Sequence, residues 1–296
     1  MSDPVADAVA VARTVDAALV AASAVLARAG VPTPRVDAEL LVSHATGLER
    51  GVVLARAVTG SALTGEQAEA LAGLVARRAS REPLQHITGV AWFRSMALHV
   101  GPGVFVPRPE TEGVAQLAVD ALRATADARP VAVDLGTGSG ALALSLATEV
   151  PHAHVVAVEL SPAAAIWTRR NIASLGADNV DLVVGDMADA LPELDGTVAV
   201  VVSNPPYIPV GMVPRDPEVR LHDPELALYG GDDGLDLVRA LSQTARRLLR
   251  PGGTLVVEHG EEQGSAIREV LLGDGWRAPA TQPDLTGRDR STTAVR

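Results

Sequence analysis

The 296-residue chain contains no cysteine and no lysine. The first absence excludes a disulfide framework, a thiolate metal site and a cysteine nucleophile. The second excludes Schiff-base chemistry and a phosphate-gripping lysine of the Walker type. No run of about 18 uninterrupted apolar residues is present, so a membrane-spanning helix is not expected. Residues near the N-terminus include Asp3 and Asp7 and lack a basic start followed by a cleavage site. They do not read as a secretory signal, and the cytoplasm is the expected location. Basic charge is also short overall. The net charge is −11, which argues against tight binding to a phosphate backbone. The deficit is uneven: residues 1–80 hold eight acids against seven Arg, leaving about −10 for the rest. What is abundant is Ala, Val and Arg, a bias that reflects GC-rich coding rather than function. With 47% hydrophobic residues, a substantial core is available, and the length suits one large or two small domains.

Residues 4–29 are rich in Ala, Val and Leu and read as helix, ended by Gly30 with Pro32 and Pro34 beyond it. Residues 35–46 read as a second helix stopped by Gly47, and 48–58 are ambiguous. Thr64 and Gln67 have the spacing of a capping box for a helix over 65–80. This small helical bundle carries no catalytic constellation. From Glu82 the texture changes, and Trp92-Phe93 with Leu98-His99-Val100 read as a β-hairpin. The run Pro107-Arg108-Pro109-Glu110-Thr111-Glu112 follows, with Thr111 placed to cap a helix over 112–124.

Four strand ends then carry chemistry. Residues 131–135 form an apolar strand, and Gly136-Thr137-Gly138-Ser139-Gly140 lead into a helical run over 141–149. Strand, glycine loop and helix N-terminus together form the dinucleotide-type βα turn, where backbone N–H groups meet a ligand closely. The strand over 154–158 ends in Glu159, placed to accept from two ribose hydroxyls, and Ser161-Pro162 start the next helix. The strand over 180–184 ends at Asp186, an acceptor for an adenine amino group, with Met187 able to cover a base. The strand over 197–202 is apolar throughout, as a strand buried on both faces would be, and delivers Asn204-Pro205-Pro206-Tyr207. The two prolines stiffen the turn. The Asn204 side-chain oxygen and the Pro205 carbonyl are two acceptors beside a flat ring, which suits a planar group bearing an NH2. Residues 210–234 are polar and proline-rich, with the length of a lid. A helix over 235–250, a strand over 254–258, a further helix and a closing strand over 291–295 complete an α/β pattern.

A nicotinamide enzyme can share the glycine turn but has no need of Asn-Pro-Pro-Tyr at the fourth strand. At this point the chain resembles the class I methyltransferases, and closely the PrmC/HemK family. Residues 83–89, the run 107–112, the loop 134–140, the segment 258–264 and Gly287-Arg288-Asp289-Arg290 carry the resemblance together with Asn204–Tyr207. His86 and Met187 depart from residues common in the family, and Glu159 replaces the common Asp while keeping the acceptor. The resemblance implies a Rossmann-like, S-adenosylmethionine-dependent methyltransferase domain over 107–296. A helical domain over 1–80 and a β-hairpin linker over 81–106 would precede it. It implies methyl transfer to the side-chain amide of the glutamine in the Gly-Gly-Gln motif of class I peptide chain release factors, with S-adenosylhomocysteine as product. Asn204, Pro205, Pro206 and Tyr207 would be catalytic. Gly136–Gly140, Glu159, Asp186, Met187 and Asn204 would hold the cofactor, and Arg108, Glu110 and Thr111 would be ligand contacts. The helical domain would dock the release factor. No metal, no direct nucleic-acid contact and a monomer are expected. Two alternatives stay open: transfer to an exocyclic amine of a nucleic-acid base, which shares Asn204–Tyr207, and a non-catalytic S-adenosylmethionine-binding protein.

Overall fold

Short β-branched runs with no polar alternation form the frame, because such strands are stable only when both faces are covered. In the computed structural model, which describes residues 8–296, they pair into a seven-stranded sheet. The strands are β3 (Val131–Leu135), β4 (His154–Glu159), β5 (Val180–Val184), β6 (Val198–Ser203), β7 (Leu249–Glu258), β8 (Arg277–Pro283) and β9 (Asp289–Val295). Their order is β5-β4-β3-β6-β7-β9-β8. β3 to β7 run parallel, and β9 lies antiparallel to both β7 and β8. A separate hairpin joins β1 (Val90–Phe93) to β2 (Met96–His99).

Successive strand residues face opposite layers. Ala132, Val155, Val200 and Val202 pack with α6 (Thr111–Arg123) and α7 (Ala141–Glu149). Val133, Leu135, Val156, Val201 and Val257 pack with α10 (Asp236–Leu248) and α11 (Gly264–Gly273). α8 (Pro162–Leu175) lies on the first layer through Ile172 and Leu175. The strand order reverses between β3 and β6, so their C-terminal ends open the crevice where ligands bind in such sheets.

β7 is longer than the expected 254–258. Leu249 pairs with Val198 before the register shifts across Pro251-Gly252-Gly253. β8 has no counterpart in the sequence reading. Its two prolines obscure it, and they are tolerated because it is an edge strand paired to β9 alone.

The chain divides into two units. The sheet unit comprises Val90–Pro214 and Asp223–Arg296. The helical unit comprises the chain up to Gly89 together with Arg215–His222. Residues 4–7 of the expected first helix lie outside the described residues. Residues 8–10 are helical, the chain leaves the helix over 11–14, and α1 resumes it over Val15–Arg28. Thr14 is extended, caps Ala17 N–H through its hydroxyl and bridges to Ala62. α2 (Pro34–Thr46) ends at Gly47 with φ 69°, a left-handed turn that glycine takes without strain. The ambiguous stretch forms α3 (Arg50–Val58), and α4 (Gly65–Ala79) carries the full Thr64/Gln67 capping box. α5 (Leu84–Thr88) is a short helix ahead of the hairpin. Leu19, Leu26, Leu41 and Leu71 fill the core of this unit.

Arg215–His222 holds the short helix α9 (Pro217–His222), and Glu218 on it meets two arginines. Arg81 donates to both Glu218 oxygens at 2.9 and 2.6 Å, and Arg78 donates at 2.8 Å. Arg78 is 5% exposed and also donates to Asp37 at 2.7 Å. Burial pushes the Glu218 carboxyl up, but Arg81 and Arg78 outweigh it and hold the group at about 2. Removing the Glu218 charge takes the carboxylate from Arg81 and leaves the buried Arg78 with Asp37 alone. Glu218→Gln is therefore expected to cost about 2 kcal/mol in urea unfolding at neutral pH. The contribution of Glu218 is present above its ordinary carboxyl value of 4.5 and is lost as pH falls towards about 2, so the cost of the substitution should shrink over that window.

Candidate active site

The crevice is built from the ends of β3, β4 and β6. Asp134 on β3 is fully buried, and its Oδ2 accepts from the Thr137 hydroxyl at 2.6 Å and from Ala143 N–H at 3.0 Å. It thereby ties the loop to the first turn of α7. Burial pushes the Asp134 carboxyl up to about 7, against the pull of Thr137 and Ala143, and its Oδ1 has no hydrogen-bond partner. Gly136 and Gly138 take φ values of 76° and 58°, and a Cβ on either would meet nothing within 4 Å. The loop backbone is thus bare on its outer side, with room for a ligand against it. Gly140 (φ 88°) does the opposite job. A Cβ there would press on Leu144 at 3.1 Å and on Thr168 at 3.2 Å, so glycine lets α7 and α8 close on the loop.

α8 braces the loop from behind. Thr168 donates to Gly138 O at 2.7 Å, and the buried Asn171 donates to Ser139 O at 2.9 Å. Glu159, at the end of β4, accepts from Gly138 N–H at 2.7 Å and from Ser161 N–H at 2.8 Å, one bond to each oxygen. Each oxygen keeps a second lone pair for a ligand hydroxyl. Asp186 is exposed beyond β5 with Oδ1 accepting from Ala188 N–H at 2.9 Å, and Met187 is half-buried beside it.

The second half of the site follows β6. Ser203 donates to Leu135 O at 2.6 Å, joining the root of the Asn-Pro-Pro-Tyr turn to the root of the glycine loop. Asn204 is half-buried and Pro205 buried. The turn is held on its far side by the segment that follows. Ile208 N–H donates to Leu228 O, and Ile208 O accepts from Gly230 N–H, each at 2.9 Å. A Cβ on Gly230 would sit 2.5 Å from Pro206 O, and one on Gly234 2.3 Å from Tyr207 O. Gln263 donates to Tyr207 O at 2.9 Å. Burial, aided by Glu258 and Glu110, pushes the Tyr207 phenol up to about 12, so it stays neutral at working pH.

Arg108 and Thr111 reach this crevice wall, while Glu110 is exposed. Arg108 stacks over Phe105 at 5.0 Å and donates to the buried Asp223 at 2.8 Å. That pair ties the middle of the segment 210–234 to the Arg108 run. Thr111 is not the cap expected of it: Glu110 holds the cap position and makes no side-chain cap bond, and Thr111 is the first helical residue. Its hydroxyl is buried without a hydrogen bond. His259 is fully buried, with ring nitrogens 2.8 Å from Gly260 O and 2.9 Å from the Thr292 hydroxyl. It is a core histidine. The sequence reading gave no individual role to Asp134, Asn171, Gly230, Gly234 or Gln263, although Asp134 and Gln263 lie in the segments 134–140 and 258–264 that carry the family resemblance. An acid inside an apolar strand run was the available signal for Asp134; the others become legible only when the chain is folded.

Residues 17–89 match the family described as PrmC N-terminal domain, and residues 127–273 match Methyltransferase domain. The chain is 53% identical to the release factor glutamine methyltransferase of Streptomyces coelicolor, over 91% of this chain and 93% of that protein. The chain belongs to the release factor glutamine methyltransferase family. It is 48% identical to the relative of that name from Mycolicibacterium smegmatis, over 94% and 96% of the two chains. It is also 41% identical, over 97% of each chain, to a 4-amino-L-phenylalanine/4-methylamino-L-phenylalanine methyltransferase of Streptomyces pristinaespiralis. A solved methyltransferase structure from Pyrococcus furiosus shares the fold, with a TM-score of 0.50 at 21% identity over 68% of this chain and 89% of that one. The sheet unit is a class I, Rossmann-like methyltransferase domain.

Two outcomes follow for the site. The folded chain holds the Asp134 carboxyl at about 7 against an ordinary 3.8, so folding takes up a proton between those values. Stability therefore falls as pH rises through that window, and Asp134→Asn is expected to flatten part of the slope seen by urea unfolding at a series of pH values. Gly234 has φ 75°, so Gly234→Ala both strains the backbone and pushes on Tyr207 O. Turnover should fall about tenfold or more, and the thermal unfolding midpoint should drop by roughly 5 °C or more.

Proposed function

We propose that this protein transfers a methyl group from S-adenosylmethionine to the side-chain amide nitrogen of the glutamine in the Gly-Gly-Gln motif of class I peptide chain release factors. The observation that carries the reading is the Asn204-Pro205-Pro206-Tyr207 turn rooted beside the glycine loop at the switch point of the sheet. Its support from kinship is the high coverage of relatives named for that reaction.

S-adenosylmethionine supplies an electrophilic methyl group on a sulfonium. The bare backbone of Gly136, Thr137, Gly138, Ser139 and Gly140 would take its amino-acid end. Glu159 would accept from the ribose hydroxyls, Asp186 from the adenine amino group, and Met187 would cover the base. The acceptor is a poor nucleophile, because the carboxamide lone pair is delocalised into its carbonyl. Asn204 Oδ1 and Pro205 O would each accept one of its N–H groups, and Tyr207 would pack on the amide plane. That grip favours a nitrogen lone pair directed at the methyl carbon, so positioning and charge distribution supply the rate. No side chain ionises in this scheme, and the proton leaves after transfer, when the nitrogen is positive. Arg108, Glu110 and Thr111 would line the approach. The helical unit would dock the release factor, with the enzyme acting as a cytoplasmic monomer without direct nucleic-acid contact. The acidic balance of the chain is in keeping with that last point. No helix among the described residues is long and apolar enough to cross a membrane.

The test is mass spectrometry of a release factor incubated with the protein and S-adenosylmethionine. A single methyl on the Gly-Gly-Gln glutamine is expected, with the rate down about 100-fold or more in Asn204→Ala while calorimetry still registers cofactor binding. Unchanged turnover in that variant would sink the role given to Asn204. Transfer to free 4-amino-L-phenylalanine or to a base-containing oligonucleotide, in place of the release factor, would overturn the substrate.

A further inference from the structure

Glu258 ends β7, and Asn204 directly follows β6. The last register pair of these neighbouring parallel strands is Ser203 with Val257. One step further on each strand brings Asn204 and Glu258 side by side at the mouth of the crevice. Glu258 is 1% exposed, and its Oε2 is buried without a hydrogen bond. The buried Thr111 hydroxyl, equally without one, faces it from the first turn of α6. The two lie close enough for the hydroxyl to favour the carboxylate, yet outside ordinary hydrogen-bond geometry.

Around Glu258 stand Thr111 and Glu110 from the start of α6, Asn204 and Tyr207 from the turn after β6, and Arg290 from β9. Arg290 is the cation among them: it acts on Glu258 through its charge, makes no hydrogen bond to it, and leaves its own buried Nε without a hydrogen bond. Its Nη1 donates to His259 O at 3.2 Å, and its Nε lies 3.7 Å from Asp284. A buried carboxyl with no dedicated counter-ion is costly, so it calls for a reason beyond packing.

We propose that Glu258 is a positioning residue for methyl transfer: its carboxylate accepts the N–H of the Asn204 carboxamide and so turns Asn204 Oδ1 towards the acceptor amide. A primary carboxamide has one acceptor end and one donor end, and nothing in its shape decides which points outward. An acceptor-only neighbour decides it. Thr111 is the second group that holds the carboxylate in place. That role rests on the proposed grip of Asn204 on the acceptor amide.

The same arrangement makes turnover sensitive to pH. Burial pushes the Glu258 carboxyl up to about 7, against the pull of Thr111, Arg290 and Asn204, with Glu110 adding to the rise. Protonated, Glu258 offers an O–H that Asn204 Oδ1 accepts, and the carboxamide is drawn to the wrong orientation. Activity should therefore climb as pH rises through neutrality.

Two variants test this, with kcat and kcat/KM for a release factor measured at saturating S-adenosylmethionine. Glu258→Met keeps the volume and removes the acceptor. Its kcat should fall about 30-fold or more, with cofactor affinity by calorimetry within about threefold and thermal stability equal or higher. Glu258→Gln keeps an acceptor that does not titrate. It should recover much of the rate lost in the Met variant and flatten the rise of kcat/KM between about pH 6 and about pH 8. Wild-type kcat in Glu258→Met, or a rise with pH that persists unchanged in Glu258→Gln, would overturn the role. A wild-type enzyme that methylates no release factor overturns instead the substrate reading. Normal wild-type turnover with indifferent variants removes Glu258 alone.

Discussion

The hydrogen bond from Ser203 to Leu135 O, 2.6 Å long and fully buried, sits where the strand order of the sheet reverses. On one side of it the chain leaves β3 as the glycine loop. On the other it leaves β6 as Asn-Pro-Pro-Tyr. A parallel sheet points all its strand ends the same way, and the reversal between β3 and β6 sends their following helices to opposite faces, opening the crevice. A group bound on one loop can react with a group bound on the other only if the two loops stay in register, because transfer between bound groups tolerates little misplacement. Everything else around the site serves that register.

The supports come from distant parts of the chain. α8 holds the glycine loop through Thr168 and Asn171, and Glu159 ties its middle to the end of β4. Gly230, Gly234 and Gln263 hold the carbonyls of the Asn-Pro-Pro-Tyr turn. Most of these bonds are made to backbone, so the loops are fixed while their outward-facing groups stay available. The ionisable groups follow the same division of labour. Asp134 and Glu258 are buried with raised values, Asp134 under the glycine loop and Glu258 beside the turn, and both reduce stability near neutral pH. An acid kept at that cost next to reacting groups marks where stability has been exchanged for placement.

The helical unit depends on a different balance. Its core is apolar, yet a buried arginine, Arg78, links Asp37 to Glu218. Glu218 arrives from the segment between β6 and α10, more than a hundred residues later in the chain. This unit is therefore not the closed N-terminal bundle that residues 1–80 suggest: it takes up α9 and extends to Gly89.

Much was legible from the residues alone. The apolar runs at 131–135, 154–158, 180–184 and 197–202 read as strands, and glycines or prolines close each near its end, although 180–184 keeps Asp181 and Val184 exposed. The Thr64/Gln67 box and the Ser161-Pro162 start fixed two helices by local hydrogen bonding, which needs no tertiary partner. Asn-Pro-Pro-Tyr after a buried strand pointed to the family the chain belongs to, because two rigid acceptors at a strand end suit a planar group bearing an NH2. Tertiary structure decided what local signals cannot carry. Thr14 broke the first helix by pairing with Ala62, and two prolines became part of β8 because an edge needs no second partner. Thr111 left the cap to face Glu258 across the crevice. The pairing of Glu258 with Asn204 is set by the register of two strands some fifty residues apart. Strand register is a long-range quantity, and no window of sequence contains it.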